Sequence, residues 1–269
     1  MSPTVKANGI NIEYESQGSG PPLLLIAGLG YDRWMWRRVV PHLAHNFQVV
    51  SFDNRGVGGS DRPPGPYSAQ LLADDTAALA AELGIEKAAV WGHSMGGFVA
   101  QALALSYPQL IHRLILSATN FGGPNHARIS QEALLVLMDS RGDPLERLRN
   151  GFRVSTAPGF IEREPAFVEE WIAYRAANPI PAAAYEAQLA VGLALMSEEA
   201  CFEHKLQRIG APTLILFGEH DGVVPTANAD LLAQKLPDSR ITILPGVGHL
   251  FPLEAPQEAA TVVTRFLQS

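Results

Sequence analysis

Lys87-Ala88-Ala89-Val90-Trp91-Gly92-His93-Ser94-Met95-Gly96-Gly97 is the stretch on which the reading of this chain turns. Lys87 to Trp91 is a short apolar run, of the kind that forms a strand covered on both faces. Met95 to Tyr107 carries a helical pattern and stops at Pro108. Between them lies G-x-S-x-G, the pattern of a serine set on a sharp strand-to-helix turn. Such a turn strains the backbone at the serine, and strand and helix approach too closely for flanking side chains. Gly92 and Gly96 meet that need. The five letters alone also suit a glycine-rich helix start with the serine as N-cap. The strand before and the helix after favour a nucleophile at Ser94.

Working outward, the same alternation continues. Leu23 to Ala27 is a continuous apolar run, expected as a central strand, and the loop Gly28-Leu29-Gly30 follows it. Gln48 to Phe52 reads as another buried strand ending at Asp53. Ser68 to Leu83 is helical in pattern, with Gly84 as its stop, and Arg113 to Ser117 is a further strand. Near the start, Ile10, Ile12 and Tyr14 alternate with polar residues just after Asn8-Gly9, which predicts a hairpin. Trp34 to Leu43 reads as a helix interrupted near its end by Pro41. Strand–helix–strand alternation of this kind predicts a mostly parallel sheet with helices on both faces.

The alternation stops between about 122 and 206. Alanine, leucine and glutamate dominate there, punctuated by Pro144, Pro158, Pro165, Pro179 and Pro181, and we read a helical cap. The lone cysteine, Cys201, falls in a stretch read as helical from Glu198 to Leu206 and is expected to be a small buried apolar residue. The alternation resumes with a strand at Thr213 to Phe217, a helix at Ala227 to Leu236, a strand at Arg240 to Leu244 and a helix at Pro256 to Leu267. The expected division is a core of residues 1–121 and 207–269 and a cap of 122–206.

A serine hydroxyl needs a base. Of the eight histidines, His249 follows the final strand in Pro245-Gly246-Val247-Gly248-His249, and loops after strand C-termini hold the active sites of open parallel sheets. His93 adjoins Ser94, but neighbours on such a turn are expected to point apart. The base needs an acid to fix its tautomer. Asp221, after the strand ending near Phe217, is the first choice; Glu219 and Asp53 are rivals. Asp53 reads instead with Arg55 as part of a structural turn, Asp53 to Ser60, holding an internal ion pair. The order Ser94, Asp221, His249 is one in which such triads occur. Developing negative charge on an attacked carbonyl needs backbone N–H donors, and Met95 and Leu29 are placed to give them.

Composition narrows the rest. With 47% hydrophobic and 17% charged residues the chain is expected to pack as a globule. A net charge of -7 argues against nucleic acid and anionic membranes as partners. One cysteine makes no internal disulfide, and no phosphate-loop, dinucleotide or zinc spacing occurs, so neither a metal nor a cofactor is expected. The opening Ser2-Pro3-Thr4-Val5-Lys6 does not read as a signal peptide, and no apolar run reaches a membrane span. A cytoplasmic protein is the expectation.

Through the elbow, Asp53-Asn54-Arg55-Gly56-Val57-Gly58-Gly59-Ser60-Asp61 and Gly248-His249-Leu250-Phe251-Pro252-Leu253-Glu254-Ala255-Pro256, the chain resembles the α/β-hydrolase superfamily over nearly its whole length. The resemblance implies an eight-stranded, mostly parallel sheet with the cap inserted after the sixth strand. Asp61 to Tyr67 and the elbow are similar to bacterial 3-oxoadipate enol-lactonases, which implies ester or lactone hydrolysis. Dehalogenases and epoxide hydrolases of this fold carry aspartate at the elbow, where this chain has Ser94. Carbon–carbon hydrolases often carry tryptophan after the histidine, where it has Leu250. Many relatives have His-Gly where Ala27-Gly28 stands, which leaves open what supports the oxyanion loop. The expected activity is hydrolysis of a small carboxylic ester or lactone. The competing expectations are a ligand-binding protein on the same scaffold, a serine perhydrolase and a carbon–carbon hydrolase.

Overall fold

Asn8 and Gly9 both adopt positive φ, 47° and 80°. That backbone suits the tight turn between twisted antiparallel strands, and it joins β1 (Thr4–Ala7) to β2 (Ile10–Gln17). The computed structural model describes residues 2–139 and 141–269. After the hairpin come β3 (Pro22–Ile26), α1 (Val40–Leu43), β4 (Gln48–Phe52), α2 (Ala69–Glu82), β5 (Ala88–His93), α3 (Met95–Ser106) and β6 (Ile111–Ser117). Five helices follow: α4 (Gln131–Met138), α5 (Pro144–Ser155), α6 (Phe160–Arg163), α7 (Pro165–Ala177) and α8 (Ala182–Leu193). The alternation then closes with β7 (Thr213–Gly218), α9 (Ala227–Ala233), β8 (Ser239–Leu244), α10 (Phe251–Glu254) and α11 (Pro256–Leu267).

The eight strands form one sheet in the order β1-β2-β4-β3-β5-β6-β7-β8. Pairing is antiparallel at β1–β2 and β2–β4 and parallel from β4 to β8. The apolar runs are continuous because alternate residues serve two cores. Leu24, Ile26, Ala88 and Val90 pack with residues of α2, α3 and α9. Leu23, Leu25, Ala89 and Trp91 pack on the opposite face with residues of α1 and α11. A third cluster joins Phe152, Phe160, Val168, Trp171 and Ile172, from the helices between β6 and β7, to Leu250 and Leu253 just after His249.

Three local expectations need correction. Trp34 to Leu43 is not one helix. Asp32 caps a short 3₁₀ turn at Arg33–Trp36, and α1 begins afresh with Pro41 in its first turn, a place where the missing N–H costs nothing. The stretch around Cys201 consists of turns, with only Leu206–Arg208 in a 3₁₀ turn, although Cys201 is buried as expected. Asp53 and Arg55 do not pair. The chain turns between them, and Asp53 binds Arg33 while Arg55 binds Asp75 of α2.

Candidate active site

Ser94 sits between β5 and α3 at φ 56°, ψ -121°. For a residue with a Cβ this conformation costs about 1–3 kcal/mol and persists only where the surroundings impose it. They do so here through the backbone. The Ser94 N–H donates to the Ser117 carbonyl of β6 (2.9 Å), and the Thr119 hydroxyl donates to the Ser94 carbonyl (2.8 Å). A methyl group on Gly92 would lie 2.6 Å from the Ala100 side chain, and one on Gly96 would overlap the Ile26 carbonyl oxygen. On Gly28 it would stand 3.1 Å from Ser94 Cβ. The Gly28–Gly30 loop after β3 therefore lies directly against the serine.

His249, in the loop between β8 and α10, is buried, as is Asp221 after β7. His249 Nδ1 lies 2.8 Å from Asp221 Oδ2 and 3.0 Å from Oδ1. Asp221 Oδ1 also accepts the N–H groups of Val223 (2.9 Å) and Val224 (2.8 Å), which fix the carboxylate. With Nδ1–H donated to the carboxylate, Nε2 of neutral imidazole is left as the acceptor. The His249 ring stands 5.0 Å, centroid to centroid, from the ring of His93, the residue before Ser94.

The rivals are occupied elsewhere. Glu219 accepts the Gly246 N–H (2.8 Å). Asp53 accepts the N–H groups of Arg33 and Gly59 (2.8 Å each) beside its ion pair. His93 is not simply turned away. It is buried against Trp36, Phe251 and His249, and its Nδ1 meets the Ser117 hydroxyl at 2.9 Å. Burial pushes its pKa well below the ordinary histidine value, and protonation of the neighbouring His249 would push it further down. It therefore acts as a neutral wall for the His249 ring.

Leu29 and Met95 line, together with Ser94, a cavity of about 150 Å³. Met95 opens α3, where helix geometry leaves the first N–H groups without intrahelical acceptors. Phe98, Leu189 and Val224 make up much of the remaining wall, and among the described residues no charged side chain lines it.

Two polar residues, one buried and one half-buried, escaped the sequence reading. Gln188 of α8 has no exposed surface. Its Oε1 accepts the Gly30 N–H and its Nε2 donates to the Arg55 carbonyl, both at 2.9 Å. It shares a helix face with Ala184, Ala187 and Val191, all buried, and a polar residue inside an apolar stripe was the available signal. Glu254 of α10 accepts the N–H of Gly248 (3.0 Å) and that of Ala157 (2.8 Å), tying the His249 loop to the segment after α5. Burial pushes its carboxyl up to about 7, against the pull of those two donors and of His249.

Comparisons with known proteins bear on the fold and the family. Residues 21–256 match the family described by the alpha/beta hydrolase fold. A Mycobacterium tuberculosis (strain H37Rv) relative, BpoC, named provisionally as a non-heme bromoperoxidase, is 31% identical over 97% of this chain and 98% of its own length. 3-Oxoadipate enol-lactonase 2 of Acinetobacter baylyi is 28% identical over 94% and 92% of the two chains. Among solved structures, a thermophilic esterase from Thermogutta terrifontis superposes with a TM-score of 0.82 at 28% identity, covering 100% of this chain and 98% of that one. From the elbow outward, then, this chain belongs to the alpha/beta hydrolase fold family.

Proposed function

We propose that the chain is a serine hydrolase acting on small, uncharged carboxylic esters or lactones through an acyl-enzyme on Ser94. In this reading His249 Nε2 takes the Ser94 proton as the hydroxyl oxygen attacks the carbonyl carbon. The backbone N–H groups of Leu29 and Met95 hold the resulting oxyanion. His249 then passes the proton to the leaving alkoxide, which departs as the alcohol. Water repeats the sequence on the acyl-enzyme and releases the acid. Asp221 keeps the ring oriented and stabilises the imidazolium formed on the way.

The observation that carries this reading is the buried His249–Asp221 pair, 2.8 Å apart, packed against the residue that precedes a strained serine. The uncharged wall of the cavity supports the neutral acyl group. A carboxylate entering it would lose hydration without a partner cation.

The test is a panel of p-nitrophenyl esters from acetate to octanoate, with the p-nitrophenyl monoester of glutaric acid and small lactones, run on wild type and Ser94→Ala. Wild type is expected to turn over the short neutral esters and to discriminate against the glutarate. Ser94→Ala is expected to fold normally and lose about 10⁶-fold in kcat. Full turnover by the variant contradicts the mechanism. A second reading, perhydrolysis, draws on the likeness to BpoC. Hydrogen peroxide would replace water on the acyl-enzyme and release a peracid, which an assay with acetate, peroxide and bromide detects as brominated product.

A further inference from the structure

The loop that carries the Leu29 N–H lacks the histidine many relatives place before its first glycine. What holds it instead comes largely from the helices between β6 and β7. Gln188 of α8 accepts from the Gly30 N–H (2.9 Å), Arg175 of α7 donates to the Gly30 carbonyl (2.6 Å), and the Tyr174 hydroxyl of α7 donates to Asp32 (2.7 Å). From the core, Asn54 donates to the Ala27 carbonyl (3.1 Å).

Gln188 differs from the other ties in reaching two segments at once. Its second bond goes to the Arg55 carbonyl, in the turn that follows β4. A backbone N–H must meet the amide oxygen and a carbonyl must meet the amide nitrogen, so the two partners fix which way the amide points. The residue is fully buried and borders the cavity that holds Ser94, Leu29 and Met95. The geometry of the loop gives this a consequence. Peptide units are planar, so only φ and ψ of Leu29 separate the unit carrying the Gly30 N–H from the unit carrying the Leu29 N–H. Holding the first narrows the directions open to the second.

We infer that Gln188 is a positioning residue for the oxyanion loop: it aims the Leu29 N–H by clamping the adjoining peptide to the turn after β4. The inference rests on the serine-hydrolase reading above and assigns to the cap a part in catalysis beyond shaping the cavity. Gln188 touches no reacting atom. It acts through the loop, so its loss weakens the transition state more than the bound substrate.

The experiment compares wild type with Gln188→Met, which keeps length and helix propensity without either hydrogen bond. Gln188→Glu serves as the near-isosteric second variant, unable when ionised to donate to Arg55. Steady-state kinetics on p-nitrophenyl butyrate are read beside inhibition by an alkyl trifluoromethyl ketone, whose hydroxyl adduct places an oxyanion where the intermediate would. The expectation for each variant that melts cooperatively is a kcat lowered about 10- to 100-fold, with KM within about threefold. The ketone's inhibition constant should rise by the same factor as kcat/KM falls. A purely structural role would not produce that parallel. Wild-type kcat in a folded variant, or a loss carried by KM with ketone affinity unchanged, overturns the inference. A wild-type protein without ester turnover overturns the serine-hydrolase reading and this inference together. An active wild type with unaffected variants overturns this inference alone.

Discussion

The elbow and the Gly28–Gly30 loop face each other at Ser94, and they are held by largely different means. The elbow is fixed mainly by close approach of main chains, with one side-chain bond, from the Thr119 hydroxyl, added. Gly92, Gly96 and Gly28 let main chains touch, and Ser94 itself is bonded through its N–H and carbonyl to the strand and loop beside it. The Gly28–Gly30 loop and the turn after it are fixed by long side chains that arrive from far along the chain: Gln188, Arg175 and Tyr174 lie 158, 145 and 142 residues from their partners. Contact without side chains dictates which residues can stand there, and so it leaves a short motif. Support by distant side chains can be supplied in many ways and leaves none.

The largest expected departure from this picture comes from Gly96→Ala. The added methyl meets the Ile26 carbonyl, which belongs to the sheet and cannot move as a side chain would. The variant is expected to lose roughly 3 kcal/mol of stability and nearly all ester turnover, measured by denaturant unfolding and by kinetics. Wild-type stability there would mean that the elbow is less tightly packed than its backbone contacts imply.

A smaller effect probes the His249 loop, which shares both modes of support. A methyl on Gly248 would meet the Thr156 and Ala157 backbone at 2.6–2.9 Å, while Glu254 ties the same loop by its side chain. The Glu254 carboxyl titrates near 7 in the folded chain against about 4.5 when exposed. The folded state therefore holds a proton that the unfolded state has lost across that window, and stability falls as pH rises through it. Asp221, and His249 when protonated, bear on it in opposite senses. The change amounts to about 2.5 kcal/mol between pH 4.5 and 7. Glu254→Gln should flatten this part of the profile in chemical unfolding at stepped pH. An unaltered slope in the variant would assign the titration to another group.

The same contrast explains what could be read in advance. The central strands, β3 to β7, are near-continuous apolar runs because both of their faces are covered, and the strand bounds fell within a residue or two of expectation. Ser94, Asp221 and His249 each follow a strand end, and the sheet brings Asp221 and His249 into contact. Trp34 to Leu43 misled because Pro41 reads as an interruption late in one helix but stands in the first turn of another. The Asp53–Arg55 pair was inferred from proximity in sequence. Side chains two residues apart across a turn diverge, and the partners, Arg33 and Asp75, are each 20 residues away. The distant partners of Gln188 and Glu254 were illegible for the same reason: each residue acts by closing a long loop of chain.

The central claim is that His249 activates Ser94 for attack. Its most direct measurement is the rate at which a fluorophosphonate adds to the protein, followed by intact mass and peptide mapping, in wild type and in His249→Ala. One adduct, on Ser94, forming at least about 10³-fold more slowly in the variant is the predicted result. An adduct on a different residue, or equal rates in the two proteins, would contradict it.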